Sequence, residues 1–260
     1  MYTRKTLLLV LLAFVIASTP RLARGEDWPQ YRGPGRDGQA GAEGLLRSWM
    51  ETPPAEAWRR PIGMGFSAIS IADGKVYTME ADEKEEAVVA IDGATGETVW
   101  RKVVGETEEF FPGGGPRTTP TVSDGVLYTV SSHSRFLAMN ADNGEILWEK
   151  NLQDYGPVPR YGYSASPLID ENRILVLVGD RQKQPGVAAF DRATGELLWE
   201  ALDGPTGYAS PIIAEIGGVK QYIFSTFVAV LGLSTDGELL WTHETGPKTA
   251  LPMPVFVAPD

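Results

Sequence analysis

The sequence contains no cysteine in 260 residues. Disulfide stapling is therefore excluded, and so is a lipid anchor, which needs a cysteine just after a cleavage site. An apolar core must hold the chain together. There are only two histidines, His133 and His243. They fall at different places relative to the repeats described below, so they do not form a converging zinc set and read as surface residues. No Gly-x-Ser-x-Gly stretch or Ser–His–acid order supports nucleophilic catalysis. No short Asp/Glu/Asn cluster has calcium-loop spacing. Basic residues are scarce, 23 against 34 acidic. An acidic surface argues against nucleic acid and anionic lipid as partners and favours solubility.

The N-terminus reads as a targeting segment. Arg4 and Lys5 precede an apolar run from Leu7 to Ala17, too short to span a bilayer comfortably. Ala23-Arg24-Gly25 offers small residues for cleavage before Glu26. Residues 1–25 are expected to be a signal peptide, with an uncleaved anchor as the alternative. Four basic and no acidic residues lie in that segment, so the mature chain carries 19 basic against 34 acidic groups, a net charge of −15. The expected product is exported, periplasmic or extracellular, soluble, and neither a lipoprotein nor a membrane-spanning protein.

What is abundant is an internal repeat. Trp100, Trp148, Trp199 and Trp241 are spaced by 48, 51 and 42 residues, and each ends a similar phrase. Ala90-Ile91-Asp92-Gly93-Ala94-Thr95-Gly96 leads to Trp100, and Ala138-Met139-Asn140-Ala141-Asp142-Asn143-Gly144 leads to Trp148. Ala189-Phe190-Asp191-Arg192-Ala193-Thr194-Gly195 leads to Trp199, and a degenerate copy, Gly232 to Gly237, leads to Trp241. A second marker recurs upstream: Thr119-Pro120, Ser166-Pro167, Ser210-Pro211 and Met253-Pro254, with Ser67-Ala68 in the matching place of the first copy.

Each unit reads as four short strands; in the second they are expected at 118–122, 126–130, 135–139 and 146–149. Asp73-Gly74, Asp124-Gly125 and Glu171-Asn172 separate first strands from second. Thr95-Gly96 and Asn143-Gly144 separate third from fourth. There the Asp or Asn of the phrase can accept backbone N–H bonds, and Gly can take a positive φ. Four antiparallel strands every 45 or so residues, with one aromatic motif per unit, predict an all-β propeller. The blades are expected at about 64–104, 116–151, 161–202 and 207–245, with the start of another at 250–260. The motif tryptophans are expected to plug the gaps between blades, beside the small residues Ala90, Ala138, Ala189 and Gly232.

The phrase Ala-x-Asp-x-x-Thr-Gly-x-x-x-Trp, matched in full by Ala90–Trp100 and Ala189–Trp199, resembles the tryptophan-docking motif of quinoprotein dehydrogenase repeats. The same PQQ-like repeats occur in BamB-type outer-membrane assembly proteins and in secreted PQQ-like repeat proteins. The opening Asp27-Trp28-Pro29-Gln30-Tyr31-Arg32-Gly33-Pro34 is similar to that last group. Residues 26–57 are thus an N-terminal extension and 58–260 the propeller repeats. Trp58–Gly63 resembles Trp100–Gly105 and reads as a lone fourth strand; Leu251–Ala258 reads as a lone first strand. The expectation is an incomplete arc of about four blades from a ring of seven or eight, the chain being the N-terminal part of a longer protein. A closed four-bladed ring is the alternative.

The resemblance implies two functions. A quinoprotein dehydrogenase would need a PQQ pocket, calcium, a catalytic Asp and usually a vicinal disulfide, which a cysteine-free chain cannot supply. The acidic stretch Glu80–Glu86 reads as a solvated loop rather than a metal site. No catalytic, cofactor or metal residues are therefore assigned, and no cofactor is expected, PQQ with calcium being the alternative. Binding is better supported. Arg117, Arg160, Tyr161, Tyr163 and Tyr208 precede first strands, on the face around the central channel, where Arg and Tyr suit carboxylates, sugars or peptide backbone. The competing reading is that the arginines pair with blade carboxylates and the tyrosines act as spacers; Arg181–Gln184 on the same face reads as a solvated loop. The favoured reading is a non-enzymatic exported module that binds or scaffolds a protein or small molecule, as BamB-like proteins do.

Overall fold

The computed structural model describes residues 26–41, 48–50, 53–110, 113–179, 185–204, 206–246 and 252–257. The expected signal peptide and the loop 181–184 lie outside them. Sixteen strands form four separate four-stranded antiparallel sheets, each in chain order. The first holds β1 (Ser70–Ala72), β2 (Lys75–Ala81), β3 (Glu85–Asp92) and β4 (Thr98–Glu106). The second holds β5 (Thr121–Ser123), β6 (Val126–Val130), β7 (Arg135–Asn140) and β8 (Ile146–Asn151). The third holds β9 (Leu168–Asp170), β10 (Arg173–Leu177), β11 (Pro185–Asp191) and β12 (Leu197–Asp203). The fourth holds β13 (Ile212–Ile216), β14 (Val219–Ser225), β15 (Ala229–Leu233) and β16 (Leu239–Glu244). These sheets are the blades of an all-β propeller.

The turns follow the expected chemistry. Asp73-Gly74 and Asp124-Gly125 both take positive φ at their two central positions, the type I′ pattern that suits the strand twist. Gly217-Gly218 does the same in the fourth blade, where no hairpin had been assigned from the sequence. In the motif turn, Asp92 Oδ1 accepts from the backbone N–H groups of Ala94 and Thr95, at 3.0 and 2.8 Å. Asn140 and Asp191 repeat this arrangement. Those N–H donors hold the Asp92 and Asp191 carboxyls below the usual range.

The core consists of seams between blades. Tyr77, Met79 and Val88 of the first blade meet Leu127, Leu137 and Met139 of the second. Tyr128 and Phe136 meet Ile174, Val176 and Phe190 of the third. Leu175 and Leu177 meet Tyr222, Phe224 and Leu231 of the fourth. Single sheets this small cannot bury both faces, so stability comes from radial stacking.

The tryptophans bind these seams together in one direction. The Trp100 indole lies on Gly144 of the next blade and donates to the Ala141 carbonyl at 3.0 Å. Trp148 does the same to Gly195 and Arg192, and Trp199 to Gly237 and Thr235. Buried tyrosines converge on the same acceptors: Tyr77 donates to Ala141 and Tyr128 to Arg192. Burial pushes the Tyr77 hydroxyl up to about 12. The small residues Ala90, Ala138, Ala189 and Gly232 sit directly opposite their own motif Trp in the ladder. For Trp100, Trp148 and Trp199 the surface that receives the indole is therefore the following blade's Gly, whereas the Trp241 indole lies against Gly232 of its own blade.

Four expectations are corrected. Trp58–Gly63 forms no ladder; it runs extended, and Trp58 docks on Gly96 and donates to Gly93 at 2.9 Å, as a motif Trp would. Trp58 thus fills the surface on which Trp241 would close a four-bladed ring, and Trp241 turns back to Gln221 of its own blade at 2.7 Å. The first strand of the second blade begins at Thr121, because Pro120 has no N–H for the ladder and the Thr119 N–H goes to Ser166 Oγ. The described part of Leu251–Ala258, residues 252–257, carries no strand. The acidic stretch is not a solvated loop throughout: Glu80 lies on β2, Glu85 and Glu86 lie on β3, and Glu86 is fully buried. A bulge between Glu86 and Ala87 accompanies that inward turn.

Candidate functional site

The residues before the first strands form an arc of hydrogen bonds around the axis. The Ala68 N–H donates to Thr119 Oγ1 at 3.1 Å, the Thr119 N–H to Ser166 Oγ at 2.9 Å, and the Ser166 N–H to Ser210 Oγ at 2.9 Å. This accounts for the second repeated marker: a hydroxyl residue before Pro accepts from the preceding blade. The Pro frees its own carbonyl for a further partner. Ser70 Oγ donates to the Pro120 carbonyl, and Thr121 Oγ1 to the Pro167 carbonyl at 2.9 Å.

The N-terminal extension lies across the inner strand edges. Trp28 pairs with Ile71 of β1 through two backbone bonds of 2.8 Å, and Val122 N–H donates to the Pro29 carbonyl at 2.7 Å. Arg36 then reaches the third and fourth blades. Its guanidinium donates to the carbonyls of Pro211 at 2.8 Å, Ser166 at 3.3 Å and Pro167, and to Gln30 Oε1 at 2.9 Å. Arg36 is 3% exposed, and its burial pushes the guanidinium down to about 9, so it stays charged at neutral pH. Sequence reasoning missed this residue, since its partners lie 130 to 175 positions away. Only the Trp-Pro-x-x-Arg-Gly-Pro resemblance signalled that the segment matters.

On the same axis is a cavity of about 210 Å³, lined by Tyr31, Phe66, Arg117, Ser166, Tyr208 and Ser210 among others. Two of the five residues expected at the funnel, Arg117 and Tyr208, meet here. Arg117 donates to the carbonyls of Gly115 at 2.9 Å and Gly113 at 2.5 Å. Its guanidinium lies 5.0 Å from the Phe66 ring centre and 5.3 Å from that of Phe110. Desolvation lowers the Arg117 pKa. Among the described residues no carboxylate forms an ion pair with it, so the expected pairing with a blade carboxylate is not made. Tyr161 packs on Tyr208 at 5.5 Å, with Arg160 over its ring at 5.4 Å, just outside the cavity lining. Tyr163 instead enters the core between the second and third blades, at 4% exposure. Both histidines are exposed, His133 beside Glu108 at 3.3 Å and His243 on β16.

Glu86 lies beneath this region. It accepts from the Ser132 N–H at 3.0 Å and from the Ser132 hydroxyl, and burial pushes its carboxyl up. No three of His, Cys, Asp and Glu converge among the described residues to hold a metal ion. No described helix is long and apolar enough to cross a membrane.

Known proteins of two kinds resemble this chain. The outer membrane protein assembly factor BamB of Yersinia pestis is 28% identical over 174 residues, covering 62% of this chain and 40% of that protein. The quinoprotein alcohol dehydrogenase PedH of Pseudomonas putida is 24% identical over 148 residues, covering 53% of this chain and 23% of that one. The solved quinohemoprotein alcohol dehydrogenase of Comamonas testosteroni superposes with a TM-score of 0.64 at 14% identity, over 86% of this chain and 42% of that one, a likeness of fold alone. The chain spans less than half the length of each. A family model described as outer membrane protein assembly factor BamB matches residues 42–162 and 84–251, and by that match, over more than half of its length, the chain belongs to this PQQ-like repeat family of β-propellers.

Proposed function

We propose that the protein is a non-enzymatic binding or scaffolding propeller that is exported and engages a partner at its axial face. The observation that carries this reading is Arg36. The axial position of a propeller is where a cofactor would meet the blades, and here Arg36 of the chain's own extension fills part of it by bonding to the third and fourth blades, which leaves a cavity of about 210 Å³ on the same axis for a partner group. The rival reading, a PQQ- and calcium-dependent oxidoreductase with cofactor residues partly outside this chain, has support from the dehydrogenase relatives. The lining of the axial cavity supports the binding reading over that one. The axial cavity of about 210 Å³ is small beside the ~300–1,000 Å³ common for ligand pockets. It offers one described arginine, Arg117, to a quinone with three carboxylates, and its lining contains no carboxylate for calcium.

Reconstitution with PQQ and Ca²⁺, followed by absorbance and alcohol-dependent dye reduction, separates the two. The scaffold reading expects neither bound chromophore nor turnover, and expects an envelope protein to be retained in pull-down from the full-length chain. Turnover with bound PQQ would overturn it.

A further inference from the structure

The arc hydroxyls that accept from neighbouring blades have a hydrogen left over. Thr119 Oγ1, Ser166 Oγ and Ser210 Oγ each receive a backbone N–H, and none of them donates to an acceptor among the described residues. They are 1%, 3% and 4% exposed. A buried hydroxyl hydrogen with no acceptor is costly, and the two that border one cavity, those of Ser166 and Ser210, point to an external acceptor there. Ser166 and Ser210 line the axial cavity together with Arg117.

Arg117 adds charge to these donors. Two of its five N–H groups are used on carbonyls, which leaves three. Its nearest negative influence is Glu86, which Ser132 already engages and which burial pushes toward its neutral form. The cavity therefore combines a desolvated cation with hydroxyl donors. The rest of its wall is mixed: Phe66, Ala209 and Met253 are apolar, Tyr31 and Tyr208 are aromatic, and the Ser164 hydroxyl is already spent on the Tyr208 carbonyl.

We infer that this cavity binds a carboxylate carried on a small apolar or aromatic body, with Arg117 and the hydroxyls of Ser166 and Ser210 as its donors. A guanidinium and O–H groups suit a planar anion, and the flanking rings suit a flat or branched apolar group. A volume of about 210 Å³ admits one amino-acid-sized group, not an extended cofactor. Two sources present this chemistry: the C-terminal residue of a peptide, and a free aromatic acid. The inference deepens the binding reading above, since it names what the axial face would take.

The test uses wild-type protein and two probes that differ in one group, N-acetyl-phenylalanine and its primary amide, titrated by calorimetry or by NMR shifts. The acid is expected to bind at least tenfold more tightly than the amide. Arg117→Met, checked for an unchanged melting profile, is expected to remove that difference. If Arg117→Met does not fold, Ser210→Ala serves instead, with a loss of several-fold for the acid and little for the amide. Equal binding of acid and amide, or no binding of the acid at millimolar concentration, overturns the inference. A peptide ending in phenylalanine that binds tenfold more tightly than the acetylated residue assigns a protein C-terminus as the source; equal affinity assigns a free acid. Failure here leaves the scaffold reading standing, because that reading fails only on PQQ-dependent turnover or on loss of partner capture.

Discussion

The indole of Trp148 lies on Gly195 of the following blade so closely that a Cβ built there would stand 2.9 Å from the ring. Gly195 also has φ of +70°, and Trp148 Nε1 donates to Arg192 three residues before it. One contact thus joins a backbone conformation, a hydrogen bond and an aromatic seam, since Trp148 also packs edge-on against Phe136 at 5.0 Å. Trp148→Ala is expected to destabilise by about 3–5 kcal/mol, from lost burial and the cavity left behind. Gly195→Ala should cost about 2–4 kcal/mol, from a left-handed alanine and overpacking against the indole. Urea melts of both variants check this, and an unchanged midpoint in either would remove the docking role.

The extension is expected to behave as part of the propeller, not as an appendage. Arg36→Ala removes the donor from three carbonyls on two blades. Leaving buried acceptors unpaired should cost about 2–4 kcal/mol, less whatever water recovers. Arg36→Lys should recover only part, because an ammonium lacks the planar fork that spans Ser166, Pro167 and Pro211. Limited proteolysis should cut within residues 26–41 faster in the alanine variant than in the parent; equal rates would mean the segment is held by Trp28 and Pro29 alone.

Glu86 gives a pH dependence with a defined sign. Burial raises its pKa in the fold above the ordinary 4.5. The unfolded chain therefore ionises first as pH rises, and the stability associated with the neutral carboxyl is present below pH 4.5 and lost above it. Glu86→Gln removes that loss while keeping an oxygen for the Ser132 N–H. The melting temperature of the variant, minus that of the parent, should increase from pH 4 to pH 8. A flat difference would show that Ser132 and Arg117 compensate the charge fully.

Local chemistry made most of the fold readable. Asp92, Asn140 and Asp191 cap their own turns, and the Asp-Gly hairpins need only adjacent residues, so both are written in short stretches of sequence. The period of the tryptophans gave the blades. What stayed hidden is non-local. Which surface receives an indole depends on the next blade, about fifty residues on. Glu86 is the last residue of an acidic run in which Asp82, Glu83 and Lys84 face water, and the bulge at Ala87 accompanies its inward turn. Arg36 looks like any loop arginine until two Pro-marked turns are brought around it. At the candidate site, Arg117 and Tyr208 could be named from their position before first strands. Ser166 and Ser210 were visible only as repeat markers, and their spare hydrogens required the arc geometry. Trp58–Gly63 copies the sequence of β4, but among the described residues no strand pairs with it, and it shares with the motif tryptophans only the docking contact.

The central claim is that each blade is fastened to the next by an indole N–H bonded to a turn carbonyl. Hydrogen exchange at the tryptophan side chains tests this most directly, read from the indole signals in ¹H–¹⁵N spectra and assigned by single Trp→Phe changes. The indole N–H groups of Trp58, Trp100, Trp148 and Trp199 should exchange at least tenfold more slowly than that of Trp49, whose residue is 62% exposed. Exchange of all four as fast as Trp49 would contradict the account.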